Sequence, residues 1–385
     1  MKLVFSDHPI PKNIVKSMFL AGPSPRELSV ADWRIKALEY LESINFNGTV
    51  FLPIPEGRFY GKADSTTWSY NNQVNWECEA RNVADIILFW VPRSISGKMP
   101  GFVTNIEFGE DLSSGKIVYG RPADAEKCKY LDKRFEDLSY PVHETLEDTL
   151  NYAVELLGDG SYRENGEVYV PLFIWKTPQF QSWYKNLILA GNSLMSAKVL
   201  YHFKLRNGQL FSYNIKVKIW IESEQREKPN EIIFARTDTV HAVLYYKDGV
   251  DTKVVLIKEF RSPVNNELGY VYELPGGSSL NPELNSFDIL LEEVKEEVGF
   301  EIEDVSRFEL VSHRQSVATI STHKSFVYKL ELSKEEYNQI LLNNEKSFGN
   351  QHEGEITYIQ ILDLKELSSY PIDYSILGML YLCFN

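Results

Sequence analysis

The sequence predicts two domains of different class, an α/β layered parallel sheet followed by an α+β domain with a mixed sheet. Three observations predict it. With 385 residues, the chain is longer than one hydrophobic core ordinarily organises. Up to residue 160, short apolar runs alternate with amphipathic segments, whereas beyond residue 209 strand-like runs follow one another around a single acidic helix. Between these halves, 158–166 (GDGSYRENG) is rich in turn formers and has no apolar pattern. The expected division is therefore 1–160, a linker and helical connector at 161–208, and a second domain at 209–385.

The elements of the first domain follow in order. Segments 17–21 (SMFLA), 49–53 (TVFLP), 85–91 (DIILFWV) and 116–119 (KIVY) are nearly unbroken apolar runs, as strands covered on both faces require. Segments 30–44, 74–84, 104–112 and 144–157 read as the helices that cover them. Ligands of such sheets bind outside the carboxyl ends of the strands, where the turns Gly22-Pro23 and Pro53-Ile54-Pro55 should lie. Past the linker, 177–197 reads as an aromatic-rich helix. Trp175, Trp183 and Tyr184 are expected to pack it, with a base-stacking role as the sharper alternative. Strands then follow in LFSYNIKVKIWIES, EIIFARTDTVHAVLYY and TKVVLIKEF, with more near 325–332 and 354–362.

Composition excludes several classes. The formal net charge of -14 argues against a nucleic-acid backbone as the partner, though not against a small anionic nucleotide held by a cation. No apolar run reaches membrane-spanning length, and MKLVFSDHPIPKN lacks the apolar core of a secretory leader. Cys78, Cys128 and Cys383 are few and widely spaced, which fits a reducing compartment and shows no metal pattern. A cytoplasmic protein without membrane association is the expectation.

The most informative segment is 287–298. Phe287, Leu290, Leu291, Val294 and Val298 form the stripe of a helix packed on a core. Glu293, Glu296 and Glu297, at i, i+3 and i+4, project together from another side, and like charges at that spacing repel unless a cation sits among them. A hard divalent ion, Mg²⁺ or Mn²⁺, is the natural resident of such an oxygen set. A solvated acidic face is the plain alternative.

Residues 272–302, YELPGGSSLNPELNSFDILLEEVKEEVGFEI, resemble the box of the Nudix hydrolases, with Gly277, Glu283 and the Glu293-Val294-Lys295-Glu296-Glu297-Val298-Gly299 ending in place. Two departures stand out: eight residues, not seven, follow Glu283, and Glu292 occupies the place of an arginine that normally clamps the carboxylates. The resemblance implies a Nudix fold in which Glu293, Glu296 and Glu297 are catalytic metal ligands and the backbone at Gly276 helps shape the metal site. The flanking LIKEFRSP and ELPGG segments resemble the ADP-ribose pyrophosphatase branch. That branch implies Arg261 and Glu273 at the substrate and a late-loop glutamate, Glu353 or Glu355, as ligand or base. The implied reaction is metal-dependent hydrolysis of the diphosphate of an ADP-ribose-like nucleotide. The rival reading is a sensor that binds such a nucleotide uncleaved and controls the other domain.

In the first half, Phe19-Leu20-Ala21-Gly22-Pro23 ends a strand in a tight turn. Trp76-Glu77-Cys78-Glu79-Ala80, Ala84-Asp85 and Thr104-Asn105-Ile106-Glu107-Phe108-Gly109 deliver further carboxylates. Two such acids can cleave a glycosidic bond through a covalent sugar intermediate. Residues 17–135 resemble the nucleoside 2-deoxyribosyltransferase-like families, with a flavodoxin- or Rossmann-like sheet. The resemblance implies Glu107 as nucleophile and Asp85 as a second catalytic acid, with Gly22, Pro23 and Thr104 at the substrate. Pro100-Gly101 stands where studied members carry a base-recognising acid. Asp85 can equally satisfy a turn, and Glu107 can be an ordinary first-turn glutamate. Both families commonly self-associate, so a homo-oligomer is expected.

Overall fold

The computed structural model describes residues 1–27, 30–61, 69–96, 99–205, 207–281, 283–349 and 356–385. The chain forms two compact units, Met1–Ile233 and Phe234–Asn385. Among the described residues, no helix is long and apolar enough to cross a membrane.

The first unit is built on a six-stranded parallel sheet in the order Lys2–Phe5, Thr49–Leu52, Ser17–Ala21, Ile86–Trp90, Ile117–Gly120, Val142–His143. The two-residue period of a strand sends Phe19, Phe51, Ile87 and Phe89 to one face, against Trp76, Ala80 and Phe108. Met18, Leu20, Val50 and Leu88 go to the other, against Trp33, Ala37, Leu41 and Leu150. After Ser17–Ala21 the chain moves to one neighbour, Thr49–Leu52, and then returns past it to the other, Ile86–Trp90. The order reverses between Ser17–Ala21 and Ile86–Trp90, and ligands of such sheets bind outside the carboxyl ends of the strands at that point.

Three expectations change here. The 158–166 segment is not a free linker: Arg163–Glu164 pairs with Asn13–Ile14, and Arg163 is wholly buried. The expected helix at 177–197 is Pro178–Leu189, stopped by Gly191 at φ +80, and the chain then turns into the strand Ser193–Lys204. That strand pairs with Leu210–Ile221, which pairs in turn with Arg226–Arg236. Val217 lies opposite Ala197, and both are buried. Residues 209–233, read from the sequence as the start of the second domain, therefore lie in the first compact unit.

The second unit has a seven-stranded mixed sheet. Its path runs Glu309–Gln315, Lys324–Glu331, Thr239–Asp248, Asp251–Phe260, Thr357–Asp363, Ser347–Phe348, with Tyr270–Glu273 paired to Asp251–Phe260. Thr239–Asp248 and Lys324–Glu331 are parallel, and the other pairings are antiparallel. The helix Ser286–Val298 covers one face, setting Leu290, Val294 and Val298 on Val240, Ala242 and Leu244. The helix Tyr374–Phe384 covers the other, setting Ile376, Met379 and Leu380 on Val243, Val254 and Leu256.

Candidate active sites

In the second unit, Pro275 and Gly277 carbonyls accept from the backbone N–H groups of Ala242 and Val240, so the Pro-Gly-Gly turn runs along a central strand. Opposite it, the acidic helix starts on a reciprocal cap between Asn285 and Asp288. Its last two turns bring two carboxylates to the turn. Glu297 is buried, and its Oε2 accepts from the Gly276 N–H at 2.8 Å. Glu293 lies against Gly277 so closely that a Cβ there would stand 2.1 Å from Glu293 Oε1. Only glycine admits that approach.

Burial holds the Glu297 carboxyl well above its usual range, the Gly276 N–H pulls it down, and Glu293, Glu259 and Glu273 push it up further. Glu259 is a buried acid on the strand Asp251–Phe260, and Arg261 Nη2 pairs with both Glu259 Oε2 (2.9 Å) and Glu273 Oε2 (3.0 Å). The side chains of Arg261 and Glu273 line a cavity of about 490 Å³, together with Pro263, Asn266, Pro371 and Asp373. Arg236 donates to Ser278 Oγ at 2.7 Å, and its pKa is lowered by burial and by nearby Arg261.

Of the expected residues, the structure thus brings together Gly276, Glu293 and Glu297, with Arg261 and Glu273 within electrostatic reach. Glu296 is exposed, as is Glu292, the acid at the arginine position. Glu353 and Glu355 lie outside the described residues. Among the described residues, no three acid, histidine or cysteine side chains already converge as a metal cage. The donor set nevertheless suits a hard divalent cation: it is all oxygen, Glu293, Glu259 and Glu273 all push the Glu297 carboxyl up, and Arg261 pairs with Glu259 and Glu273. Two residues were missed in the sequence, Glu259 and Arg236. The signal for Glu259 was an acid at an inward register position, two residues beyond buried Ile257.

In the first unit, the crevice forms around Gly22-Pro23. A Cβ on Gly22 would lie 2.1 Å from the Trp90 carbonyl oxygen, so the two central strands can meet only with glycine there. Buried Arg34 fixes the turn, donating from Nε to the Leu20 carbonyl and from Nη2 to the Gly22 carbonyl, both at 2.9 Å. Trp33 Nε1 donates to the Pro23 carbonyl at 3.1 Å. The helix Phe102–Asp111 begins with Gly101 beside the Pro23 ring, buries Thr104 and presents Glu107 one turn later.

Glu107 is half-buried, and its pKa is pushed up to about 7 by burial and by the charge of Glu77, against the pull of Arg81 and Arg34. Glu77, on the helix Tyr70–Val83, is raised by burial, while the Gln73 amide that donates to it at 2.7 Å pulls it down. Of the acids that push Glu107 up, Glu77 acts more strongly than Asp111. Glu79, three residues from Asn82 on the same helix, is held by the Tyr169 hydroxyl.

Asp85, expected as a second catalytic acid, has a structural role instead. It precedes Ile86–Trp90 and so lies at the amino end of the sheet, away from Gly22-Pro23. Its carboxylate takes both Arg163 Nη groups at 2.7 Å, the Ser17 N–H and hydroxyl at 2.9 Å, and the Leu172 N–H at 3.0 Å. Five donors leave no lone pair for a substrate.

Residues 15–125 match the family model described as "Nucleoside 2-deoxyribosyltransferase like". This part of the chain is a nucleoside 2-deoxyribosyltransferase-like domain. Among solved structures, the chain is similar to the NUDIX domain of Shewanella oneidensis NrtR in a cocrystal with ADP ribose, at 15% identity and a TM-score of 0.28, covering 38% of this chain and 85% of that one. No curated protein sequence matches the chain.

Proposed function

We propose that the chain is a nucleotide-processing enzyme whose second unit hydrolyses the diphosphate of an ADP-ribose-like substrate with Mg²⁺ or Mn²⁺. The observation that carries this reading is the buried Glu297, fixed on the Gly276 N–H beside Glu293, in the register of the Nudix box. An acid held above its usual pKa by burial, and further by three like charges, regains its ionised form when a cation joins it. Glu293 and Glu297 would hold the ion, with Glu296 and a late-loop acid, Glu353 or Glu355, as further ligands or base. The metal supplies charge neutralisation at the phosphoryl oxygens and an activated hydroxide. Arg261 and Glu273 would orient the nucleotide in the adjoining cavity.

The first unit would bind or cleave the N-glycosidic bond of a related nucleotide. Glu77 and Glu107, both held above the usual carboxylate range, supply two acids for this chemistry: at neutral pH, one can protonate the leaving base while the other stabilises the sugar cation. The second reading is a sensor in which the Nudix-like unit binds without cleaving. It is favoured by exposed Glu292, which cannot reproduce the arginine clamp, and by the lack of a ready three-acid cage among the described residues.

Purified protein incubated with Mg²⁺ and ADP-ribose separates the two. The enzyme yields metal-dependent AMP, abolished in Glu297→Gln. The sensor yields saturable nucleotide binding with no AMP.

A further inference from the structure

The first unit contains a cavity of about 510 Å³ that the proposed glycosidic chemistry does not use. It lies where the ends of the helices Tyr70–Val83 and Phe102–Asp111 meet the strand Ser193–Lys204. Within the unit this wall is fixed: Asn82 Nδ2 donates to the Ala197 carbonyl at 3.2 Å, and His202 Nδ1 lies 3.1 Å from the Ser113 carbonyl. The volume is that of a small-molecule site.

Its lining is built from buried charge. Arg81 and Lys116 are 5% and 4% exposed, values that charged side chains reach only when held by partners. Glu110 and Asp111 take the terminal nitrogens of Arg81, whereas its buried Nε has no hydrogen-bond partner. Lys116 Nζ donates to the Asn82 carbonyl at 3.0 Å and to the Arg81 carbonyl, closing the end of a helix. Lys198 stands exposed at the mouth and makes no ion pair among the described residues. Arg81 offsets one of the two acid charges, so Lys116 and Lys198 leave the lining with one surplus positive charge; Lys116 Nζ uses two of its three N–H donors on the carbonyls and keeps one. Ser113 and Ser114 add hydroxyls, and Cys78 with Val199 adds a less polar side.

We propose that this cavity binds a phosphate monoester, with the phosphate between Lys116 and Lys198 and its organic body along Cys78 and Val199. A phosphate offers three acceptor oxygens and up to two charges to donors that arrive from different elements, whereas a carboxylate offers two coplanar oxygens and one charge. Room remains beyond the phosphate for a group of sugar size. Arg81 also pulls on Glu107, so an anion here would be felt in the crevice without entering it.

Cys78 gives a direct readout, because it is exposed while Cys128 is buried. The test uses the full chain, iodoacetamide and peptide mass spectrometry. Inorganic phosphate, ribose 5-phosphate and glutarate are compared at matched ionic strength. Ribose 5-phosphate is expected to slow Cys78 labelling by about tenfold once it stands roughly ten times above its Kd, since only the free fraction reacts. Lys198→Glu, an exposed change that leaves thermal unfolding in place, should remove that protection. The proposal is overturned if ribose 5-phosphate slows labelling no more than glutarate does, or if Lys198→Glu is protected as well as the parent chain.

Discussion

At the residue scale, two acids that look alike in the sequence behave in opposite ways. Asp85 opens an apolar run and Glu107 sits midway along a helix; nothing local says which one is free. The answer for Asp85 lies 78 positions away in Arg163, inside the very segment whose turn formers read as a linker. Removing one partner of a buried pair strands the other. Asp85→Asn is therefore expected to cost about 3–5 kcal/mol in urea unfolding, with Arg163→Met costing a similar amount. Glu107 has the reverse signature. Its folded pKa of about 7 stands above an unfolded value near ~4.3, so between those values the folded chain holds a proton that the unfolded chain has lost. Stability from this group is full below the lower value and fades as the pH rises through the upper one. Glu107→Gln should flatten the fall in Tm between about pH 5 and pH 7; a parallel-shifted profile would count against the raised pKa.

At the scale of elements, periodicity shows where a stripe lies but not how deep its edge sinks. The stripe at 287–298 is present, with Leu290, Val294 and Val298 on the core, yet Phe287 and Leu291 are only half-buried and Glu297 is buried with them. The sequence singled out Glu297 but not its burial, because its partner is a backbone N–H, which any sequence carries. Likewise, 190–197 (AGNSLMSA) carries no two-residue alternation: buried Leu194 and Ala197 stand three apart, a spacing a helix also offers, so the strand that forms there had no local signature. The strands of the parallel sheet were legible because unbroken apolar runs have few other fates. The turn at Gly277 yields a prediction that belongs to this scale. Its φ is not positive, so alanine suits the backbone, but the added methyl would displace Glu293. Gly277→Ala should weaken Mn²⁺ binding, read by electron paramagnetic resonance, by about tenfold or more, one lost carboxylate contact being worth about 1.5–3 kcal/mol. Asn285→Ala, at the far end of the same helix, should cost about 1 kcal/mol of stability through its lost cap and leave metal affinity nearly unchanged.

At the scale of the whole molecule, the two-domain organisation was legible in the change of pattern, but the boundary at 209 was not where the contacts part. Composition changes to strands before the second compact unit begins. The strands that change it, Leu210–Ile221 and Arg226–Arg236, form a sheet with Ser193–Lys204. A cut at residue 208 would leave Ser193–Lys204 without its partner, exposing Leu194 and Ala197 and a long unpaired edge. A cut after Ile233 would keep the antiparallel pair and the buried Tyr213, Ile215 and Val217. Fragment 1–233 is therefore expected to be monodisperse and to unfold in one cooperative transition. Fragment 1–208 should aggregate or melt without a sharp transition, although it retains the entire six-stranded sheet. Circular dichroism melts with size-exclusion chromatography decide between them. Equal cooperativity in the two fragments would mean that the three-stranded sheet contributes nothing to the first unit, and that the earlier boundary is the physical one.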